Sequence, residues 1–231
     1  MLAQFIDRPC EDSLTAAVFS HLLHLPSELF WQIIWQACHS ASLPRYAGEP
    51  RRDAEFWPRW KPDETRNSRF VEPDLFIRFP GFDLVIEAKR HDDCQQDQTQ
   101  WEDEIIAYYN EYGPENTSVR LIAVGGIWDT NEQQVTCKGV TCPVHMCKWS
   151  NLLAECQRME RELQRLQYHS CQSLAHRRIL LDLIELFSCH GYQTGVWFAD
   201  LVSQPKRLTL ASPAPRLSMR FCKLVSSRST V

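Results

Sequence analysis

Val71-Glu-Pro-Asp-Leu-Phe-Ile-Arg-Phe-Pro-Gly-Phe-Asp-Leu-Val-Ile-Glu-Ala-Lys-Arg90 is the stretch on which the fold turns. It reads as two short strands joined at Pro80-Gly81. Both runs are rich in β-branched and aromatic residues, and a Pro-Gly pair signals a reversal. Counting outward from that turn sets Phe79 against Phe82, Arg78 against Asp83, and Asp74 against Glu87. Directly opposed residues on an antiparallel pair lie within side-chain contact. Side chains alternate along a strand, so Lys89 points to the same face as Glu87.

Two facing acids destabilise a strand pair unless something neutralises them. Lys89 supplies part of that charge, and a hard divalent cation such as Mg²⁺ supplies more, because it takes carboxylate oxygens. A surface ladder, with Lys89 offsetting both acids, is the plainer alternative. Leu75, Ile77, Leu84, Val85 and Ile86 weigh against it. They predict burial, where charges need partners or metals.

Pro73-Asp74, twelve intervening residues and then Glu87-Ala88-Lys89 resemble the signature of the PD-(D/E)XK nuclease superfamily. That family includes restriction, repair and phage-defence nucleases. A helix before the hairpin and a glutamine-bearing helix after it extend the resemblance over roughly residues 11–127. It implies a restriction-endonuclease-like α/β core, a small mixed sheet flanked by helices. It also implies Mg²⁺-dependent hydrolysis of phosphodiester bonds in DNA, with Mn²⁺ as a substitute and RNA as an alternative substrate. Asp74, Glu87 and the Ala88 carbonyl would hold the metal, with Glu11 contributing a further carboxylate. Lys89 would stand beside the attacking water or the phosphate oxygens, and Gln100 would position water or phosphate. The other reading is a nuclease-fold protein that binds DNA or a partner without cutting, or serves as a scaffold subunit.

The composition sets bounds. A chain of 231 residues fits one enlarged domain, or one domain plus a small appendage, and its 44% hydrophobic residues suffice for a core. No run approaches a membrane span, and the N-terminus lacks the charged-then-apolar shape of a signal peptide. A soluble, cytoplasmic protein is expected, with its ten cysteines as reduced thiols. After Asp200 there are six basic residues (Lys206, Arg207, Arg216, Arg220, Lys223 and Arg228) and no acids. Removing these from the chain's net −4 leaves −10 on the first 200 residues. A basic tail of this kind either holds phosphates or is simply solvated.

Periodicity predicts the helices. Leu14, Val18, Leu22 and Leu25 mark one over residues 11–25, with Glu11 on the same inward stripe and Asp12 as the alternative acid. A second covers 27–38. Residues 40–70 are irregular, although Ala54–Trp60 fits a first strand broken by Pro58. This stretch mixes seven basic residues with Tyr46, Phe56, Trp57, Trp60 and Phe70. Arg51, Arg52, Arg59 and Lys61 are its candidate nucleic-acid contacts, since cations meet phosphates and rings stack on bases. A helix from about Gln95 to Tyr112 carries Gln100, with Gln96 as the competing glutamine and Glu104 and Tyr108 one and two turns beyond Gln100.

Leu121–Ile127 reads as a buried strand. Cys137, Cys142, His145 and Cys147 are possible zinc ligands, but Cys142–Lys148 reads equally well as an edge strand, with Ser150 capping the next helix. Leu152, Cys156, Met159, Leu163 and Leu166 recur at four-three spacing, a seam for one partner helix. That partner is Leu174–Phe187, or a second copy through residues 151–187. The expected organisation is a nuclease core over 1–149, a helical hairpin over 150–203 and a basic tail over 204–231. No repeats, phosphate-binding glycine loop or nucleophile elbow occur.

Overall fold

The hairpin about Pro80-Gly81 lies in the middle of a six-stranded mixed sheet. A computed structural model of the chain describes residues 10–113, 118–165 and 171–192. These all belong to one compact unit that runs to Thr194. The basic tail lies outside the described residues.

The strands are β1 (Glu55–Phe56), β2 (Leu75–Arg78), β3 (Asp83–Ala88), β4 (Val119–Val124), β5 (Gln133–Cys137) and β6 (Val140–Cys147), in the spatial order β1-β2-β3-β4-β6-β5. β2 pairs with β3 antiparallel, in the register counted from the turn: Arg78 faces Asp83 and Leu75 faces Ile86. β3–β4 and β4–β6 are parallel, whereas β5–β6 is antiparallel. β6 is therefore interior, and β5 covers the edge that β6 was expected to form.

The helices are α1 (Glu11–Leu22), α2 (Ser27–Cys38), α3 (Gln98–Tyr112), α4 (Trp149–Arg165) and α5 (Cys171–Cys189). Alternation along the strands sorts two cores. Leu75, Ile77, Leu84 and Ile86 pack beneath α1, α2, α4 and α5. Phe76, Val85, Leu121 and Val144 pack against Trp101, Ile105 and Tyr108 of α3 on the opposite face. The result is helices on both faces of a sheet.

The apolar seam of α4 is buried within the chain. Leu152, Cys156, Met159 and Leu163 join the first core with Leu180, Leu183 and Phe187 of α5. Arg177 Nε adds an ion pair to Glu160 Oε1 at 2.7 Å. The seam is thus satisfied inside one chain rather than presented to a second copy.

The α4 N-terminus corrects one expectation. Ser150 lies inside the helix, and the cap comes from Asp92. Its two carboxylate oxygens accept the backbone N–H groups of Trp149 and Ser150, at 2.9 and 3.1 Å. The zinc alternative is also corrected. Cys137 and Cys142 pack in the α3-side core, whereas Cys147 packs in the other. His145, two residues before Cys147, meets Ser40 Oγ through Nδ1 at 2.8 Å. The sheet separates the four side chains. Among the described residues no group of three or more His, Cys, Asp or Glu side chains is arranged to hold a metal ion. Among the described residues no helix is long and apolar enough to cross a membrane.

Candidate active site

Asp74 stands one residue beyond the last β2–β3 ladder pair, which places it across from Glu87 at the open end of the hairpin. Both are buried, at 8% and 2% exposure. The Ala88 N–H donates to Asp74 Oδ2 at 2.7 Å, and the Trp57 indole donates to Oδ1 at 3.1 Å. Trp57 also donates its backbone N–H to the Asp74 carbonyl. It holds a left-handed φ of 49°, a strained conformation for a bulky residue. The sequence reading did not anticipate Trp57 here.

Glu87 Oε1 accepts from Lys89 Nζ at 2.5 Å and from Gln100 Nε2 at 2.7 Å. The two candidate glutamines thereby separate. Gln100 addresses the Glu87 carboxylate. Gln96 directs its amide N–H groups to the carbonyls of Glu87, Val124 and Gly125, clasping the ends of β3 and β4. Gly125 and Gly126 make this close approach possible. Both have positive φ, and a Cβ would fall 2.3 Å from the Lys89 carbonyl at Gly125 and 2.8 Å from Lys89 Cβ at Gly126. The Lys89 backbone is pinned from both sides. Its N–H donates to Val124 O, and its carbonyl accepts from Trp149 Nε1 at 2.6 Å.

Glu11 opens α1 and reaches this end of the sheet from the other face. Its Oε2 accepts the Arg90 N–H at 3.0 Å, and its Oε1 lies 3.8 Å from Lys89 Nζ. It therefore meets the cluster through Lys89 and Arg90. Asp12 instead lines a surface hollow with Trp57, Arg59 and Glu72. The α1 N-cap is Cys10, whose thiol accepts from the Ser13 N–H.

Glu104 is the residue that the sequence reading left unassigned. It is 1% exposed, one turn beyond Gln100 on α3. Neither of its carboxylate oxygens finds a donor among the described residues. Burial, and then the charge of Glu87, push its pKa well above the usual carboxylate range. When protonated, Glu104 donates to Glu87. Burial and the charge of Glu87 likewise lift Asp74 to about 7. Burial is the largest single influence on the Lys89 ammonium and works against it, but the charge and hydrogen bond of Glu87, with the charges of Glu11 and Asp74, together outweigh it and the net shift is upward. Three buried acids thus share one lysine.

A cavity of about 400 Å³ borders the α3 side of this cluster, lined by Gln100, Glu104, Thr99, Arg66 and Phe70 among others, while Asp74, Glu87 and Lys89 do not line it. Of the four candidate nucleic-acid contacts, Arg59 lies at its edge. Arg59 covers the Phe70 ring at 4.7 Å and pairs with Glu72 at 2.9 Å. The structure does not bring the others there. Arg51 sits at the hairpin turn, donating to the Pro80 carbonyl, with Arg52 next in sequence. Lys61 pairs with Glu111, near the far end of α3.

The donor set suits a hard cation in its chemistry: buried carboxylate oxygens, the two of Glu104 without a donor among the described residues, with burial and then the charge of Glu87 raising the pKa of Asp74 and Glu104. Asp74 and Glu87 make a two-carboxylate set. Mg²⁺ commonly binds through one or two carboxylates, with water and substrate phosphate completing its shell.

No family model matches the chain. It is similar to a protein of Pasteurella multocida (strain Pm70) called Uncharacterized protein PM0110, at 32% identity over 127 residues. The match takes in 54% of this chain and 46% of that protein, so the chain spans about half the length of the curated relative.

Proposed function

We propose that the chain is a metal-dependent phosphodiester hydrolase acting on DNA, with a restriction-endonuclease-like core. The observation that carries this reading is the buried cluster of Asp74, Glu87 and Glu104 against Lys89, at the end of a hairpin whose sequence resembles the PD-(D/E)XK signature. Asp74 and Glu87 would hold Mg²⁺ or Mn²⁺, with Ala88 at the site through its backbone. When bound, such an ion lowers the pKa of water and steadies a leaving oxygen.

The chain's own residues supply the rest. Lys89, its backbone pinned by β4 and Trp149, presents a positive charge where negative charge accumulates on a phosphate. Gln100 holds the orientation of Glu87. Trp57 and the Ala88 N–H fix both oxygens of Asp74. Glu104 exchanges its proton with the cluster as the local charge changes. Glu11 aligns Lys89 and the backbone at Arg90. A place in phage defence or DNA repair follows from the resemblance alone.

The Lys89–Glu87 contact supports a second reading. With that ion pair closed, the fold would serve as a DNA-binding or scaffold subunit. Plasmid and linear DNA incubated with Mg²⁺ or Mn²⁺ separate the two. Nicking by wild type that is lost in Lys89→Ala and Asp74→Ala is the expected result. Equal nicking by all three removes the enzyme reading, and metal-independent retention of DNA by all three favours the binding subunit.

A further inference from the structure

The first turn of α3 separates two cavities. Thr99, Gln100 and Glu104 line the one on the Glu104 side of the acid cluster. Gln98 and Trp101 line a second, of about 270 Å³, closed by Gly126–Asp129 after β4. The hydrolytic reading leaves this second cavity unused.

Its construction is specific. Trp101 is 3% exposed and donates its indole N–H to Gln96 Oε1 at 2.8 Å, so its ring is locked in place. Met146 and Ile127, both buried, add apolar surface. Trp128 stands at the opening with its side chain 72% exposed, while its backbone carbonyl is held by Lys148 Nζ at 2.5 Å. An anchored backbone thus carries a large flat ring into solvent. The amides of Gln98 and Gln133 and the carboxylate of Asp129 supply donors and acceptors around it.

Among the described residues its lining holds no Lys or Arg side chain, and the nearby Lys148 ammonium is taken up by the Trp128 carbonyl, which argues against a phosphate site. Flat apolar surfaces edged by amides and a carboxylate match a nucleobase: every base has a face that stacks on an aromatic ring, and such polar groups pair with base edges. Its location adds to the argument. Gly126, one wall of the cavity, lies directly against the Lys89 side-chain stem.

We propose that this cavity receives one unpaired nucleobase, stacked on Trp128, from the nucleotide adjoining the phosphate at Lys89. The placement of that phosphate rests on the hydrolytic reading; the base site itself does not. The proposal implies a substrate that is single-stranded, or locally unpaired, at the point of attack.

Equilibrium binding in the presence of a chelator tests this, comparing an ordinary single-stranded oligodeoxynucleotide with an all-abasic strand of equal length and charge. A gel confirms that the strands stay intact. Wild type is expected to prefer the base-bearing strand by roughly tenfold, the scale of one base stacked on an aromatic side chain. Trp128→Ala should lose that preference and Trp128→Phe should keep it, with melting temperatures unchanged because the ring is exposed. A wild type that binds both strands equally, as when Trp128 serves a protein contact, overturns the base site alone. So does an unchanged preference in Trp128→Ala. Binding of neither strand overturns the base site, and cleavage in Mg²⁺ or Mn²⁺ then decides the hydrolytic reading separately. Trp128-dependent base preference without cleavage in Mg²⁺ or Mn²⁺ keeps the base site and removes hydrolysis.

Discussion

The two ends of the β2–β3 hairpin carry charge toward the same helix and treat it in opposite ways. At the turn end Arg78 faces Asp83, and Arg78 Nε lies 3.3 Å from Asp83 Oδ2. Tyr108 donates to the same carboxylate at 2.9 Å, and the guanidinium covers the Tyr112 ring at 4.9 Å. Burial, and then the charge of Asp83, hold the Tyr108 phenol above its usual range, so it stays a donor. At the open end the same α3 stripe presents Gln100 and Glu104 to Asp74 and Glu87. One end is a balanced ion pair with a neutral donor. The other gathers three buried acids around one ammonium group. Balance of the first kind fixes a structure, whereas the second is kept either by protons on Asp74 and Glu104 or by a cation that displaces them.

Substitutions at each end should therefore fail differently. The largest effect is expected on turnover. Lys89→Ala or Asp74→Asn should lower DNA cleavage by roughly a hundredfold or more, the scale of losing one preorganised electrostatic group. Circular dichroism should show both variants folded.

At the turn end the loss should fall on stability. Arg78→Met leaves Asp83 buried without its cation and should cost about 3–5 kcal/mol, measured by urea unfolding. Arg78→Met combined with Asp83→Leu should recover most of that loss.

Carboxylate-to-amide changes should differ in sign between the ends. Glu104→Gln relieves an uncompensated buried acid and should stabilise the metal-free protein by about 1–2 kcal/mol at pH 8, while weakening Mn²⁺ binding. Asp83→Asn should destabilise it. A destabilised Glu104→Gln would remove the contrast.

The smallest effect is a slope. Asp74 titrates at about 7 in the fold against an ordinary 3.8, so between those values the folded state holds a proton that the unfolded chain has released. The stability contribution is therefore lost as pH rises through that window, and Glu104 adds in the same direction. Metal-free melting temperatures should fall from pH 5 to pH 8, less steeply in Asp74→Asn. Added Mg²⁺ should flatten the slope.

The hairpin register was legible because Pro80-Gly81 fixes the reversal and alternation does the rest. Gln100 was legible from its place on the α3 stripe. Glu104 was legible as a neighbour but not as a member of the cluster, because helical spacing shows a shared face and not what lies opposite it. Its signal was an acid set among Trp101, Ile105 and Tyr108. β5 was missed because Gln133-Gln134 look like loop, yet Lys138-Gly139, both at positive φ, form the two-residue turn that pairs it with β6. The basic residues of the 45–69 stretch were illegible as a site. Sequence proximity put Arg51 and Arg59 together, whereas the fold ties one to the turn end and the other to the open end. Trp57 was hidden for a similar reason, since only the pairing of β1 with β2 brings its indole to Asp74.

Calorimetric titration of Mn²⁺ or Mg²⁺ into the metal-free protein at pH 7, repeated in two buffers of different ionisation enthalpy, bears most directly on the open end of the hairpin. Saturable binding with release of protons, abolished in Asp74→Asn and unaffected by Trp128→Ala, is the predicted result. No saturable binding by wild type, or binding of equal strength in Asp74→Asn, would contradict it.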